Sequence, residues 1–176
     1  RFVGSTRTDQ ERTVALESAR IYEFMGRIYF YSNATVPIIY TGLQFMNTAE
    51  KAGPSPELAS AYSSMSVLAG IAQVHGLART YVDRAVSISE QFNQPSNLIT
   101  VGVVTSAYKI TVGDWDEVRA RVEHAKQLCE QLGDKGQWGD CAAMLGESAW
   151  IAGDLTYAMD IQTQLLEDAR RRRSPL

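Results

Sequence analysis

Two histidines, two cysteines and a scatter of carboxylates are the residues of this 176-residue chain that could do chemistry. A metal site needs imidazole, thiolate or carboxylate ligands at short, matched spacing. His75 and His124 each stand without a second histidine or cysteine at such spacing. His75 falls at a turn between helical patterns and His124 within one beside Glu123, so both read as surface or cap residues. Cys129 and Cys141 sit inside apolar helical patterns and read as buried free thiols rather than a disulfide or metal pair. Glu11, Glu17, Glu23, Asp140 and Glu147 are scattered along helices and read as a solvated face rather than acid–base pairs. Neither a Gly-x-x-x-x-Gly-Lys-Ser/Thr loop nor a Gly-x-Gly-x-x-Gly turn occurs, which removes the common phosphate cradles. The expectation is a segment that is not an enzyme, with no catalytic residue, no cofactor and no metal.

Charge and hydropathy narrow the partners. A net charge of -3 argues against a general binder of nucleic acid or anionic membrane. No apolar run approaches the length of a membrane span, and the first residues do not form a signal peptide. These features predict a cytoplasmic chain with no nucleic-acid or membrane partner. The run Arg170-Arg171-Arg172-Arg173 reads as cations at a helix C-terminus, where the macrodipole favours them. Asn33-Ala34-Thr35 matches the glycosylation pattern and, without secretion signals, reads as accidental.

The elements that must position any site repeat every 40 residues. Gly26, Ser66, Ser106 and Gly146 form one column at that step, and Asn33, Gln73, Gly113 and Gly153 a second. Ile38, Ala78, Val118 and Ala158 form a third, and Ala49, Ser89, Cys129 and Ala169 a fourth. A register that holds without gaps across four units marks one supersecondary unit copied in series. The predicted fold is therefore all-α, an α-solenoid of about four helix-turn-helix repeats. A polar stub over 1–10 precedes units near 11–53, 54–93, 94–133 and 134–173.

Within each unit the apolar spacing predicts two helices. Residues 11–32 carry Val14, Leu16, Ile21, Met25, Ile28 and Tyr29 as the packed face, and 35–52 carry Ile38, Ile39, Phe45, Met46 and Ala49. The remaining helices are expected near 56–73, 76–92, 97–112, 115–132, 137–152 and 155–171. Gly113-Asp114 and Gly153-Asp154 place a glycine for a left-handed helix end and an aspartate to cap the next helix. Ser55-Pro56-Glu57 supplies an N-cap, a first-turn proline and an acid near the positive end of the dipole. The small columns predict close helix approach. Thr105 and Lys126 interrupt the apolar columns, which predicts that the third unit is the least well packed.

Tyr22-x-x-Met25-Gly26-x-x-Tyr29 resembles the first-helix motif of the tetratricopeptide repeat, with tyrosine in place of tryptophan. Leu145-Gly146-x-x-Ala149 with Ala158, and Ala78-x-x-x-Val82-x-x-Ala85, resemble it too. The usual unit is about 34 residues, so these repeats are longer. From residue 54 onward, Pro54-Ser55-Pro56-Glu57-Leu58-Ala59, Gly113-Asp114-Trp115, Leu132-Gly133-Asp134 and Gly153-Asp154-Leu155 resemble the C-terminal repeats of large bacterial signalling proteins. In those proteins a class III nucleotide cyclase domain and an AAA-type ATPase domain come first. The resemblance implies a regulatory or protein-interaction scaffold whose partner is a protein, a peptide or the parent's own ATPase or cyclase domains. It also implies a second reading, a small-ligand or peptide sensor of an ATP-dependent transcription activator. The end units fit the motif best, which implies an array stacked on further material upstream of Arg1.

The resemblance further implies a concave groove lined by first helices. Its register selects Arg20, Glu23, Arg27, Phe30 and Tyr31 from the first unit, and Ser63, Val67 and Ile71 from the second. Thr100, Val103 and Ile110 follow from the third, and Asp140, Glu147 and Trp150 from the fourth. Such a surface suits an extended peptide or an amphipathic helix. The lysine and asparagine clamp of co-chaperone repeats is missing, which argues against a receptor for chaperone tails. Trp115, at the start of a second helix, reads as a staple for the preceding turn.

Overall fold

Eight helices follow one another in a computed structural model that describes residues 8–172. They are α1 (Asp9–Tyr31), α2 (Thr35–Ala52), α3 (Pro56–Ile71), α4 (His75–Phe92), α5 (Pro95–Thr111), α6 (Trp115–Leu132), α7 (Lys135–Ala152) and α8 (Leu155–Arg172). The described residues contain no strand, and the fold is an all-α helical repeat. The expected stub ends sooner than the charge pattern suggests. Thr8 caps α1 with a full capping box, its Oγ1 accepting from Glu11 N at 3.3 Å and its own N–H donating to Glu11 Oε2 at 3.2 Å. Residues 1–7 and Arg173 lie outside the described residues.

The turns explain the period. Positive φ recurs at Asn33 (55°), Gly53 (80°), Gln73 (59°), Asn93 (49°), Gly113 (81°), Gly133 (69°) and Gly153 (85°), every second one belonging to the column already read from the sequence. Each marks a helix end, so the period divides into two equal halves of one helix and one turn. Asn33 and Gln73 adopt the left-handed conformation without being glycine, at a steric cost that Gly113 and Gly153 avoid. The caps are less uniform than the glycines. Ser55 Oγ accepts from Leu58 N at 3.2 Å, Asp134 Oδ1 from Gln137 N at 3.0 Å and Asp154 Oδ1 from Tyr157 N at 3.2 Å. Asp114 makes no such bond, contrary to expectation. Its carboxylate instead accepts from Lys109 Nζ at 3.0 Å.

The chain divides into two compact units, Arg1–Asn97 and Leu98–Leu176. In the N-terminal unit α1 packs on α2 and α3 on α4, with α2 also against α3. Ala19, Phe45, Ala49, Leu58, Ala61 and Ala78 are buried. Small residues let the helices close: a Cβ on Gly42 would stand 2.9 Å from Leu68 Cδ1. Arg12 reaches from α1 to donate to the Ala52 and Pro54 carbonyls at 3.2 and 3.3 Å, completing the free carbonyls at the end of α2. Tyr62 donates to Glu50 and stacks on Tyr81, tying α3 to α2 and α4.

In the C-terminal unit α7 packs against both α6 and α8. A buried cluster of Ile99, Ile110, Val118, Val122, Ala125, Cys129, Cys141, Leu145 and Ile161 forms the core. The third repeat supplies six of these nine residues, so Thr105 and Lys126 do not open its core. Thr105 is fully buried because its hydroxyl donates to the Val101 carbonyl at 2.6 Å, which satisfies it inside the helix. Lys126 lays its stem on the protein with the ammonium 5.9 Å from the Trp138 ring centre. Cys129 and Cys141 are buried free thiols with Sγ atoms 4.0 Å apart. Burial pushes the pKa of both above the usual thiol range.

Candidate functional site

The groove candidates divide between the two units, and each set has its own surroundings. In the C-terminal unit α5 and α7 lie beside the turn that opens α6. Ala107, Ile110 and Thr111 of α5, Gly113, Trp115, and Met144, Glu147 and Ile151 of α7 line a cleft of about 400 Å³. The turn geometry makes this space. Gly113, at φ 81°, has no side chain, and the Trp115 indole lies beside its Cα, so that an added Cβ would stand 3.7 Å from the ring. Trp115 is thus both the expected staple and a wall of the cleft. Glu147 stands at the mouth, exposed, with no hydrogen bond or ion pair among the described residues. Its carboxylate is the single charge on a lining that is mostly apolar, with Thr111 as the other polar side chain besides the Trp115 indole N–H.

Of the candidates in this unit, Ile110 and Glu147 come together in the cleft. Ile110 does so from the core side, since it is buried in the cluster rather than presented to solvent as expected. Val103 is half-buried against the same cluster, and Thr100 is half-buried. Asp140 and Trp150 are exposed on α7. Ala107, Thr111, Met144 and Ile151 were not among the candidates; their signal is the helical step from Ile110 and Glu147 to the next residues on the same faces.

The N-terminal unit offers a different surface. Arg20, Arg27, Phe30, Tyr31 and Ile71 are exposed, while Glu23 and Val67 are half-buried. Ser63 is not available to a partner, because it is fully buried and donates to the Ser60 carbonyl at 2.8 Å. The Phe30 and Tyr31 rings meet edge to face at 5.6 Å. Burial raises the Glu23 pKa, and the nearby Glu57 adds to the rise against the opposing pull of Arg27.

The larger correction concerns α1. Val14, Ile21 and Ile28, expected in its packed face, are 60%, 61% and 51% exposed, and Phe24 is 64% exposed. The side of α1 that packs holds Ala19 and Gly26 together with Leu16, Met25 and Tyr29 of the expected face. Spacing carried the clue, because Val14, Ile21 and Ile28 step by seven, the period of a seam between helices rather than of a globular core.

Among the described residues, no three histidine, cysteine or acidic side chains come together as a metal site, and no helix is long and apolar enough to cross a membrane. His75 and His124 are exposed, as are Arg170 and Arg171 at the end of α8. No protein-family model matches this sequence, and no curated protein matches it either.

Proposed function

We propose that this chain is a protein-interaction scaffold of the tetratricopeptide type, serving a regulatory role in a bacterial cytoplasmic signalling protein that carries ATPase or cyclase domains. The observation that carries the reading is the C-terminal cleft, an apolar hollow on the first-helix side with one unpaired carboxylate at its mouth. A hollow of that kind takes an apolar side chain, and Glu147 favours a basic residue beside it. The partner is accordingly a peptide segment that carries a large apolar residue next to lysine or arginine. A peptide array scored for binding tests this directly. Peptides pairing an aromatic or leucine with arginine should bind the wild-type chain, and Glu147→Lys should weaken them roughly tenfold or more. Equal binding of apolar–acidic peptides would sink the reading.

A second reading, a small-ligand sensor, is favoured by the cleft volume, which lies within the usual range of ligand sites of about 300–1,000 Å³. A thermal-shift screen separates the two, because a small ligand that binds the folded state raises the melting temperature by mass action. A stabilising compound whose effect disappears in Thr111→Trp, which fills the cleft, would favour the sensor.

A further inference from the structure

Cys129, in the last turn of α6, and Cys141, in the first half of α7, face each other as free thiols with Sγ atoms 4.0 Å apart. The repeat register explains why they meet. Ala49 and Ala61 hold the same two places where α2 packs on α3, and both are fully buried. Small side chains at both places mark the close approach of a second-type helix and the first-type helix that follows it. Close backbones are what a disulfide needs, because its Cβ atoms stand about 3.5–4.5 Å apart. The sulfurs have about 2 Å to close to reach bond length, within the sweep of a thiol turning about its Cα–Cβ bond. Alanine fills these places at the earlier junction, so packing alone does not call for sulfur here.

The two thiols are not equally placed. A cleft of about 260 Å³ opens at the α6–α7 turn, and Cys129 lies in its wall with Gly133, Asp134 and Trp138. Cys141 does not line that cleft and is fully buried. A small oxidant thus reaches Cys129 first, and Cys141 stands behind it as the only other thiol of the chain. That is the arrangement of a reacting thiol with a resolving partner. Burial keeps the thiolate of Cys129 scarce at neutral pH, so its first reaction is slow and speeds up as pH rises.

We propose that Cys129 and Cys141 form a reversible redox staple, in which hydrogen peroxide joins α6 to α7 through a disulfide. The Cys129 thiolate attacks one peroxide oxygen and the O–O bond breaks. Cys129 becomes a sulfenic acid, and the departing hydroxide takes up the proton that the thiol released, forming water. The Cys141 sulfur then attacks the Cys129 sulfur as the S–O bond breaks. The hydroxyl leaves with the Cys141 proton as a second water. Both sulfurs are oxidised and the peroxide is reduced, and a dithiol reverses the bond by exchange. The staple fixes α6 against α7, which both line the larger cleft, but the inference does not depend on what that cleft binds.

Treatment of the full chain with hydrogen peroxide under native conditions tests it. After alkylation in denaturant, mass spectrometry should show a chain lighter by two hydrogens, with the peptides that hold Cys129 and Cys141 joined. Dithiothreitol should restore both thiols. Oxidation should raise the melting temperature by several degrees, because the crosslink restricts the unfolded chain. Near neutrality the rate should rise about tenfold per pH unit, as attack by a scarce thiolate requires. Cys141→Ala should leave Cys129 as a sulfenic acid that dimedone traps. Cys129→Ala should slow the oxidation of Cys141 at least about tenfold. Both variants carry the residue that Ala49 and Ala61 supply at the matching places, so circular dichroism should show unchanged helicity. Two free thiols after an exposure that converts the methionines to sulfoxide overturn the proposal. So does sulfinic acid at Cys129 beside a free Cys141, a disulfide between chains, or a crosslink that forms only once urea unfolds the protein.

Discussion

In the C-terminal unit the guanidinium of Arg119 lies 3.9 Å over the Tyr157 ring and reaches Asp154 at 3.3 Å, while Glu123 accepts the Tyr157 hydroxyl. Two repeats earlier the same four columns hold Ile39, Leu77, Val74 and Leu43, all of them more than two-fifths exposed. One junction is finished with charge, hydrogen bonds and an aromatic face; its counterpart is left apolar. The first-helix columns show the same contrast, with Cys141 and Ser148 buried where Ile21 and Ile28 stand open. A shared register thus determines where helices begin, turn and touch, but not which surfaces are sealed. Sealing depends on side-chain chemistry at each copy, and the N-terminal unit leaves more large apolar side chains exposed than the C-terminal unit does.

The sharpest way to break the comparison is to delete equivalent core residues. Leu145 is 1% exposed inside the C-terminal cluster, and Met25, in the same column of the first repeat, is half-buried. Leu145→Ala leaves a cavity in a closed core and should cost about 2–5 kcal/mol. Met25→Ala removes a flexible side chain from a site that solvent already reaches, and should cost less than half as much. Urea unfolding at fixed pH measures both. Equal losses would mean that the N-terminal unit is as tightly sealed as the C-terminal one.

A smaller effect separates the turns. Gly113 (φ 81°) and Gln73 (φ 59°) hold the same place in their hairpins. Gly113→Ala forces a Cβ into left-handed backbone and should cost about 1–2 kcal/mol. Gln73→Gly relieves that strain and should stabilise by up to about 1 kcal/mol, partly offset by the freedom it adds to the unfolded chain. Melting temperatures of the two variants should move in opposite directions.

How far the fold was legible follows from the same columns. Gly26, Ser66, Ser106 and Gly146 announced close packing, and the Asn33–Gln73–Gly113–Gly153 column announced the turns, because backbone conformation and small size are properties of single residues. The predicted helices fall within a few residues of the observed ones. The sides of α1 were not legible, since Val14, Ile21 and Ile28 satisfy a helical apolar spacing whether they face a core or a vacancy. Thr105 and Lys126 misled for a related reason: a buried hydroxyl bonded to its own helix and a lysine stem over Trp138 pack well, yet neither looks apolar in the sequence. The cleft was half legible. Ile110 and Glu147 follow from register, but the space between them exists because Gly113 and Thr111 stand where Asn33 and Tyr31 stand in the first hairpin.

The subtlest contrast is electrostatic. Burial raises the pKa of Glu23 in the N-terminal unit, aided by Glu57, more than Arg27 and a hydrogen bond with Ser60 lower it. Burial also pushes Glu117 upward in the C-terminal unit. There the hydrogen bonds from Lys109 at 2.7 Å and Arg121 at 2.9 Å outweigh it, so the net shift is downward. The signs of the linkage are opposite. For Glu23 the folded state holds its proton to higher pH than the unfolded chain, so its contribution to stability falls as pH rises through the window above the ordinary carboxylate value. For Glu117 the unfolded chain takes up the proton first. Its contribution is full above the ordinary value and is lost as pH falls through the folded pKa below it. Glu23→Gln should therefore raise the melting temperature at neutral pH, and Glu117→Gln should lower it, each by a few degrees at most because solvent screens both sites. In mildly acidic solution the gain from Glu23→Gln should shrink first, because its folded-state proton returns at the higher pH. If Glu23→Gln leaves the melting temperature unchanged or lowers it at pH 7, Arg27 and the Ser60 hydrogen bond already offset the burial of Glu23 in full.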